Sequence, residues 1–407
     1  MKTVEGGVCA AKGFWAAGVA AGVKYQDRKD MAVIYSEAPC VCAGTFTSNV
    51  VKAAPVLWDK EIVEKSPFAQ AVIVNSGIAN ACTGKEGFAC CQAEAEAAAK
   101  SLQIPENSVL IGSTGVIGMQ MPIDRLQAGI AELAAKKEHS AEAAFAAAQA
   151  IMTTDTVDKQ VAVSFEIYGR SVTMGGMCKG SGMIHPNMCT MLAFVTCDAA
   201  ISKELLTKAV KESVADTFNM ISVDGDTSTN DTFLFLANGM AGNPEITEED
   251  EAYRTFKEAL CFLNTAMAKK LAGDGEGATA LVEVQVKGAD TKEAARLLAK
   301  SVICSSLTKA AIFGHDANWG RILCALGYSG AAFEPEKVEL FFESKSGRIQ
   351  ICKNGSAADY SEEEAGKILS DEEVTIVADM HMGTETATAW GCDLSCEYVK
   401  INADYRS

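Results

Sequence analysis

No uninterrupted apolar run in the sequence is long enough to cross a bilayer, so a helical membrane protein is not expected. Lys/Arg-rich runs are missing too: 36 basic residues stand against 53 acidic ones, a formal net charge of -17. With no stretch suited to neutralising phosphates, nucleic acid is a poor partner. The acidity reads as a solubility property, and an anionic substrate would need a local cationic pocket. No short internal repeat or low-complexity linker breaks the chain. The opening residues MKTVEGGVCAAKGFWAAGVAAGVKYQ are small and apolar. Glycines and Lys12 interrupt them and no continuous hydrophobic region forms, so they do not read as a signal peptide. A cytoplasmic location is the expectation.

Cysteine is plentiful at fifteen, but its spacing makes no repeated disulfide frame. Cys40 and Cys42 sit too close for a good ligand pair, Cys90 and Cys91 are adjacent, and Cys392 and Cys396 have no second pair to complete a site. Buried, reduced thiols are expected. No spacing suggests a metal or an organic cofactor.

What remains is a globular chain of 407 residues, 48% hydrophobic and 22% charged. That suffices for a sizeable core in two domains or one large α/β unit. Short β-like runs at Met31–Tyr35, Ala71–Val74 and Ser108–Ile111 are bounded by turn residues. Between them, Phe88–Leu102 and Ile123–Ala150 have helical composition. Val161–Ile167 alternates, Ser171–Met174 is strand-like, glycines crowd Gly175–Gly182, and Met191–Thr196 reads as a fully buried strand. Two apolar strands are therefore expected to flank a Gly-rich polar loop. Further on, helical character at Lys203–Asn219 and Glu249–Leu271 alternates with strand character at Leu281–Val286, Val338–Phe342 and Glu373–Ala378. The pattern is mixed α/β, with helices packed outside sheets.

The segment KGSGMIHPNMCTMLAFVTCD, Lys179 to Asp198, carries the chemistry. A threonine hydroxyl is a weak nucleophile unless a base is adjacent, and cleavage before Thr190 would supply one, its own freed α-amine. That amine has an intrinsic pKa of about 8, within reach of proton transfer near neutral pH. On residues alone, a threonine opening a buried strand is simply a good β-former.

Ten ordered segments change that reading. They are KGFWAAGVAAGVK, AGTFTSNVVKAAPV, VNSGIANACTG, STGVIG, TTDTVDK, KGSGMIHPNMCTML, SVDGDTSTND, GDGEGAT, FGHDANWGRI and INADYRS. Together the chain resembles the glutamate N-acetyltransferase/ornithine acetyltransferase family of arginine biosynthesis over nearly its whole length. The resemblance implies self-cleavage between Cys189 and Thr190 into chains of residues 1–189 and 190–407. Thr190 would then carry acetyl from N2-acetylornithine to glutamate by a ping-pong scheme, with acetyl-CoA as a possible second donor. It also implies a four-layer α/β/β/α sandwich and a heterotetramer of two copies of each chain.

The same resemblance gives roles to other residues. Thr114 and Gly115 in STGVIG would stabilise the oxyanion, where a strand-to-helix turn with a capping residue would have the same composition. Lys179 resembles the family's substrate lysine, although a lysine entering a Gly-rich loop is ordinarily solvated. Glu276, between two glycines, is a substrate contact or a solvated turn residue. In TTDT the motif does not decide between Thr153 and Thr154, and turn chemistry would explain both. Asn402 and Ser407 in the tail would reach the site. His185, five residues before Thr190, is not expected to act as a base, and His315 is expected to be structural. Three positions depart from the family pattern: Cys189, where alanine is common, Ile78 in NSGIAN, and Ala280, where a basic residue is frequent. Two other readings fit parts of the sequence: an amidohydrolase with an N-terminal nucleophile, and an unprocessed binding protein.

Overall fold

The structure is a computed structural model that describes residues 1–185 and 191–404; it is mixed α/β. Among the described residues there are two sheets and two compact units. Of the described residues, the first unit comprises 1–180, 191–218 and 227–267, and the second 181–185, 219–226 and 268–404.

The first unit holds a nine-stranded sheet. Its order runs Lys2–Thr3, Lys159–Ile167, Arg170–Lys179, Leu192–Cys197, Thr232–Ala237, Met31–Phe46, Ala69–Asn75 and Val109–Ser113, with Phe14–Val19 also pairing to Met31–Phe46. Leu192–Cys197 and Thr232–Ala237 pair in parallel, Thr232 opposite Leu192, and every residue of both is buried. Continuous apolar runs such as LAFVTC and TFLFLA are what a strand covered on both faces requires. The 16-residue strand Met31–Phe46 is longer than its opening pattern predicts. Its first part pairs with Ala69–Asn75 and Phe14–Val19, its last with Thr232–Ala237, and the register shifts between Tyr35 and Cys40.

Helices Gly84–Leu102 and Ile123–Lys136 lay Cys91, Ala95, Ala98, Leu126, Ile130 and Leu133 on Val33, Ile73 and Ile111 of the sheet. The stretch of helical composition Ile123–Ala150 forms two helices, Ile123–Lys136 and Ala141–Ala150. Glu138 leaves the helical path to bridge Ala16, and the Ser140 side chain caps the second helix by accepting from the Ala143 N–H.

The Gly-rich loop begins later than expected. Gly175 and Gly176 lie inside strand Arg170–Lys179, paired on both sides. A Cβ on Gly175 would stand 1.9 Å from the carbonyl oxygen of Gly7, and one on Gly176 3.0 Å from Met267. These glycines admit close neighbours rather than a turn. Lys179 is consequently the last residue of a strand.

In the second unit seven strands order as Ser356–Ala357, Gly347–Lys353, Glu339–Ser344, Glu373–Asp379, Leu281–Ala289, Glu385–Cys392 and Ile221–Ser222. Helix Lys292–Cys304 is capped by Thr291 and buries Ala295, Leu298, Ala299, Val302 and Ile303. Cys9, Cys40, Cys42, Cys91, Cys178, Cys197, Cys352 and Cys392 are buried, and burial pushes the Cys9 and Cys40 thiols up to about 12. Such thiols are chemically quiet. No helix among the described residues is long and apolar enough to cross a membrane.

Candidate active site

In the first unit three strand ends converge. Lys179 closes Arg170–Lys179, Thr114 follows Val109–Ser113, and Thr153 precedes Lys159–Ile167. The Lys179 Nζ lies 2.8 Å from Thr153 Oγ1, 3.3 Å from Thr114 Oγ1 and 3.9 Å from Asp155 Oδ2. The lysine is not solvated, with 7% of its surface exposed. A cation so enclosed needs a counter-charge, and Asp155 is it. The same carboxylate accepts from Lys159 Nζ at 2.7 Å, the Gly180 N–H at 2.7 Å and the Thr153 N–H at 3.0 Å. Burial pushes Asp155 up, but Lys179 and Lys159 outweigh it and hold the carboxyl at about 2. The group is ionised at any working pH. Thr153, rather than Thr154, carries the contact with Lys179.

The turn after Ser113 is tightly specified. The Thr114 N–H donates to Asn75 O at 3.1 Å, so its hydroxyl is the group left to act. The Gly115 N–H makes no hydrogen bond among the described residues. Gly115 has φ 131°, and a Cβ there would sit 2.2 Å from the Gly77 carbonyl carbon. Only glycine fits. Asn75 holds the neighbouring turn through Nδ2 to Ile78 O at 2.9 Å and accepts from Ser113 Oγ at 2.7 Å. Asn230 binds Ala79 O and Ser113 O at 2.5 and 2.8 Å.

Asp231 is 1% exposed and its Oδ2 has no hydrogen-bond partner among the described residues. Burial pushes its carboxyl well up, against the pull of Lys179.

The second unit contains Glu276, 6% exposed, in the turn following helix Glu251–Gly273. Asn402 Nδ2, on helix Cys396–Ala403, donates to Glu276 Oε2 at 2.7 Å. A Cβ on Gly182 would stand 2.4 Å from the Glu276 carboxyl group, so Gly182 makes room for it. The solvated turn is thus excluded for Glu276. Thr190, Cys189 and Ser407 lie outside the described residues.

His185 Nδ1 lies 3.1 Å from Ser222 Oγ and 3.4 Å from Cys304 Sγ. Burial, with the nearby Lys300 charge, pushes its imidazole down to about 4, which leaves it neutral near pH 7. His315 is exposed in a left-handed bend, φ 52°, after helix Ser306–Phe313.

The family model for ArgJ matches residues 15–407. The chain belongs to the ArgJ family. It is 51% identical over 397 residues to the arginine biosynthesis bifunctional protein ArgJ of Thermotoga neapolitana, 97% of this chain and 99% of that one. To the ArgJ of Caldanaerobacter subterraneus subsp. tengcongensis it is 50% identical over 407 residues, the whole of both. A solved ArgJ from Bacillus halodurans is 44% identical and covers 52% of this chain and 97% of its own, with a TM-score of 0.49.

Two departures within this ArgJ-family chain now have a place. Ile78 is 2% exposed and packs with Ile73, Ile111 and Met121, so its side chain serves the core. Ala280 is 8% exposed, and its N–H donates to Asp393 Oδ1 at 3.1 Å. Sequence reasoning passed over Asp155, Asn75 and Asp231. Asp155 stands inside TTDTVDK, four residues before Lys159 but 24 before Lys179, so nothing local in the sequence tied it to the predicted substrate lysine.

Proposed function

We propose that this ArgJ-family enzyme transfers acetyl from N2-acetylornithine to glutamate, releasing ornithine and then N-acetylglutamate, after cutting its own chain between Cys189 and Thr190. Family membership over almost the full chain supports the reaction class. The observation that carries the site is the enclosed Lys179, gripped between Thr114 and Thr153 and neutralised by Asp155. In a protein of net charge -17 it is the local cation that an α-carboxylate needs.

In the first half-reaction the Thr190 hydroxyl attacks the acetyl carbonyl and its proton passes to the α-amine freed by cleavage. The tetrahedral oxyanion takes hydrogen bonds from the Thr114 hydroxyl and the Gly115 N–H, the two donors this turn leaves unspent. The C–N bond breaks, ornithine departs with the proton, and acetyl remains as an ester on Thr190. In the second half-reaction the glutamate amine attacks that ester, and the threonine hydroxyl is restored. Lys179, Thr153 or Thr154, Glu276, Asn402 and Ser407 bind the amino acid, Lys179 meeting the carboxylate and Glu276 the amine. The cleaved chains work as a heterotetramer in the cytoplasm, without a cofactor, and acetyl-CoA serves as a second acetyl donor to glutamate.

Lys179→Met tests the carrying observation. The KM for glutamate and N2-acetylornithine should rise about tenfold or more, since a charge-assisted contact is lost. Unchanged KM values would remove Lys179 from the substrate site. Acetate release from N2-acetylornithine at the same rate with and without glutamate would instead mark a hydrolase.

A further inference from the structure

Ser181–His185 is pinned within the second unit by a dense set of hydrogen bonds. Ser181 O accepts from the Glu276 N–H at 3.0 Å, and Ser181 Oγ donates to Asp274 O at 2.6 Å. Ile184 O accepts from the Val223 N–H at 2.6 Å. The Asp224 carboxylate accepts from two successive N–H groups, Met183 to Oδ2 at 2.6 Å and Ile184 to Oδ1 at 2.9 Å. The Asp226 N–H reaches Oδ1 at 3.2 Å, and the Tyr398 hydroxyl bonds the same carboxylate. Met183 adopts φ 54°, a left-handed conformation that methionine rarely takes. Such a residue turns adjacent N–H groups towards one point, a nest for an anion. Here the anion is the Asp224 side chain, and it stabilises an otherwise strained backbone.

We propose that Asp224 is a positioning residue for self-cleavage: by gripping the backbone of Met183 and Ile184 it fixes one end of the short segment that leads to the Cys189–Thr190 bond. The proposal rests on the reading that this bond is cut. In that step the Thr190 oxygen attacks the Cys189 carbonyl carbon and the C–N bond breaks. The proton lost by the hydroxyl ends on the Thr190 nitrogen, and Cys189 is left as an ester of Thr190. Water then hydrolyses the ester to the Cys189 carboxylate and the free hydroxyl. The first attack happens within one chain, so its rate depends on how often oxygen and carbonyl meet in line. Anchoring the segment close to the bond raises that fraction. Tyr398 lies on helix Cys396–Ala403, so the C-terminal helix also supports the grip.

The test is a time course of cell-free synthesis, with intact chain and fragments separated by denaturing electrophoresis. Asp224→Ala should cleave at least about tenfold more slowly than wild type. Asp224→Asn, which keeps one accepting oxygen, should fall between the two, and Asp226→Asn should match wild type. Thermal midpoints measured on a Thr190→Ala background should stay well above the reaction temperature with and without the Asp224 changes, so that every chain is folded while it cleaves. Cleavage of Asp224→Ala at the wild-type rate overturns the proposal. So does a slow rate confined to a chain that is already unfolding at the reaction temperature, which would make Asp224 merely structural. A wild-type chain that never cleaves overturns the self-cleavage reading itself, and the positioning role with it.

Discussion

Thr114 meets two demands with one hydroxyl. Its N–H is spent on Asn75 O, and its oxygen receives Lys179 Nζ at 3.3 Å, which leaves the hydroxyl hydrogen to be donated. Thr114→Ala should therefore lower kcat by about 10²–10³-fold with little change in KM, and Thr114→Ser should recover most of the loss. Steady-state kinetics on the two variants checks this; equal defects would mean that the methyl group, not the hydroxyl, matters. Glu94 is fully buried, neither carboxyl oxygen has a partner among the described residues, and burial pushes the group up to about 8. The folded chain holds this proton above its ordinary value of 4.5, so Glu94 supports stability fully at low pH. That support is lost as pH rises through about 8. Asp59 is also buried and pushed up, by burial first and then by the Glu94 charge. Glu94→Gln should flatten the fall of the thermal midpoint between about pH 4.5 and 8; an unaltered slope there would assign the decline to other groups.

Among the elements, buried strands were the most legible in the sequence. Met191–Thr196 and Leu281–Val286 are continuous or alternating runs, and strands occupy Leu192–Cys197 and Leu281–Ala289. Breaks set by distant neighbours were not legible. Gly175 looks like a loop residue until the Gly7 carbonyl, 168 positions away in sequence, is seen against it. Ile123–Ala150 looks like one helix because the bridge from Glu138 to Ala16 leaves no mark in composition. Both limits have the same physical origin, since close approach and strand pairing are decided by residues far apart in sequence. For the candidate site, Lys179 and Thr114 were readable only through whole motifs, whereas the role of Asp155 emerged from geometry. Ser140 offers a local test. Its side chain accepts from the Ala143 N–H at 3.1 Å, so Ser140→Ala should cost about 1 kcal/mol in denaturant unfolding. A neutral change would show that the bridge alone separates the two helices.

At the scale of the whole molecule, the proposed cut would leave two fragments that share one sheet. Leu192–Cys197 and Thr232–Ala237, both after Thr190, lie between Arg170–Lys179 and Met31–Phe46, both before it. Six register pairs join Leu192–Cys197 to Arg170–Lys179, and six more join Thr232–Ala237 to Met31–Phe46. Separating the fragments would expose these ladders and the buried strands between them, a cost of the order of global unfolding. The cleaved chains should therefore co-elute in gel filtration in equal amounts and part only in denaturant. Elution of either fragment alone under native conditions would contradict the shared sheet.

If Thr190 relays acetyl between two amino acids, as proposed, a labelled acetyl group must pass from donor to acceptor only through it. Purified protein would be given N2-acetylornithine labelled in the acetyl group, with and without glutamate, beside Thr190→Ala. Labelled N-acetylglutamate and free ornithine should form only when glutamate is present, with no product from Thr190→Ala. Labelled acetate formed equally without glutamate, or full transfer by Thr190→Ala, would contradict the relay.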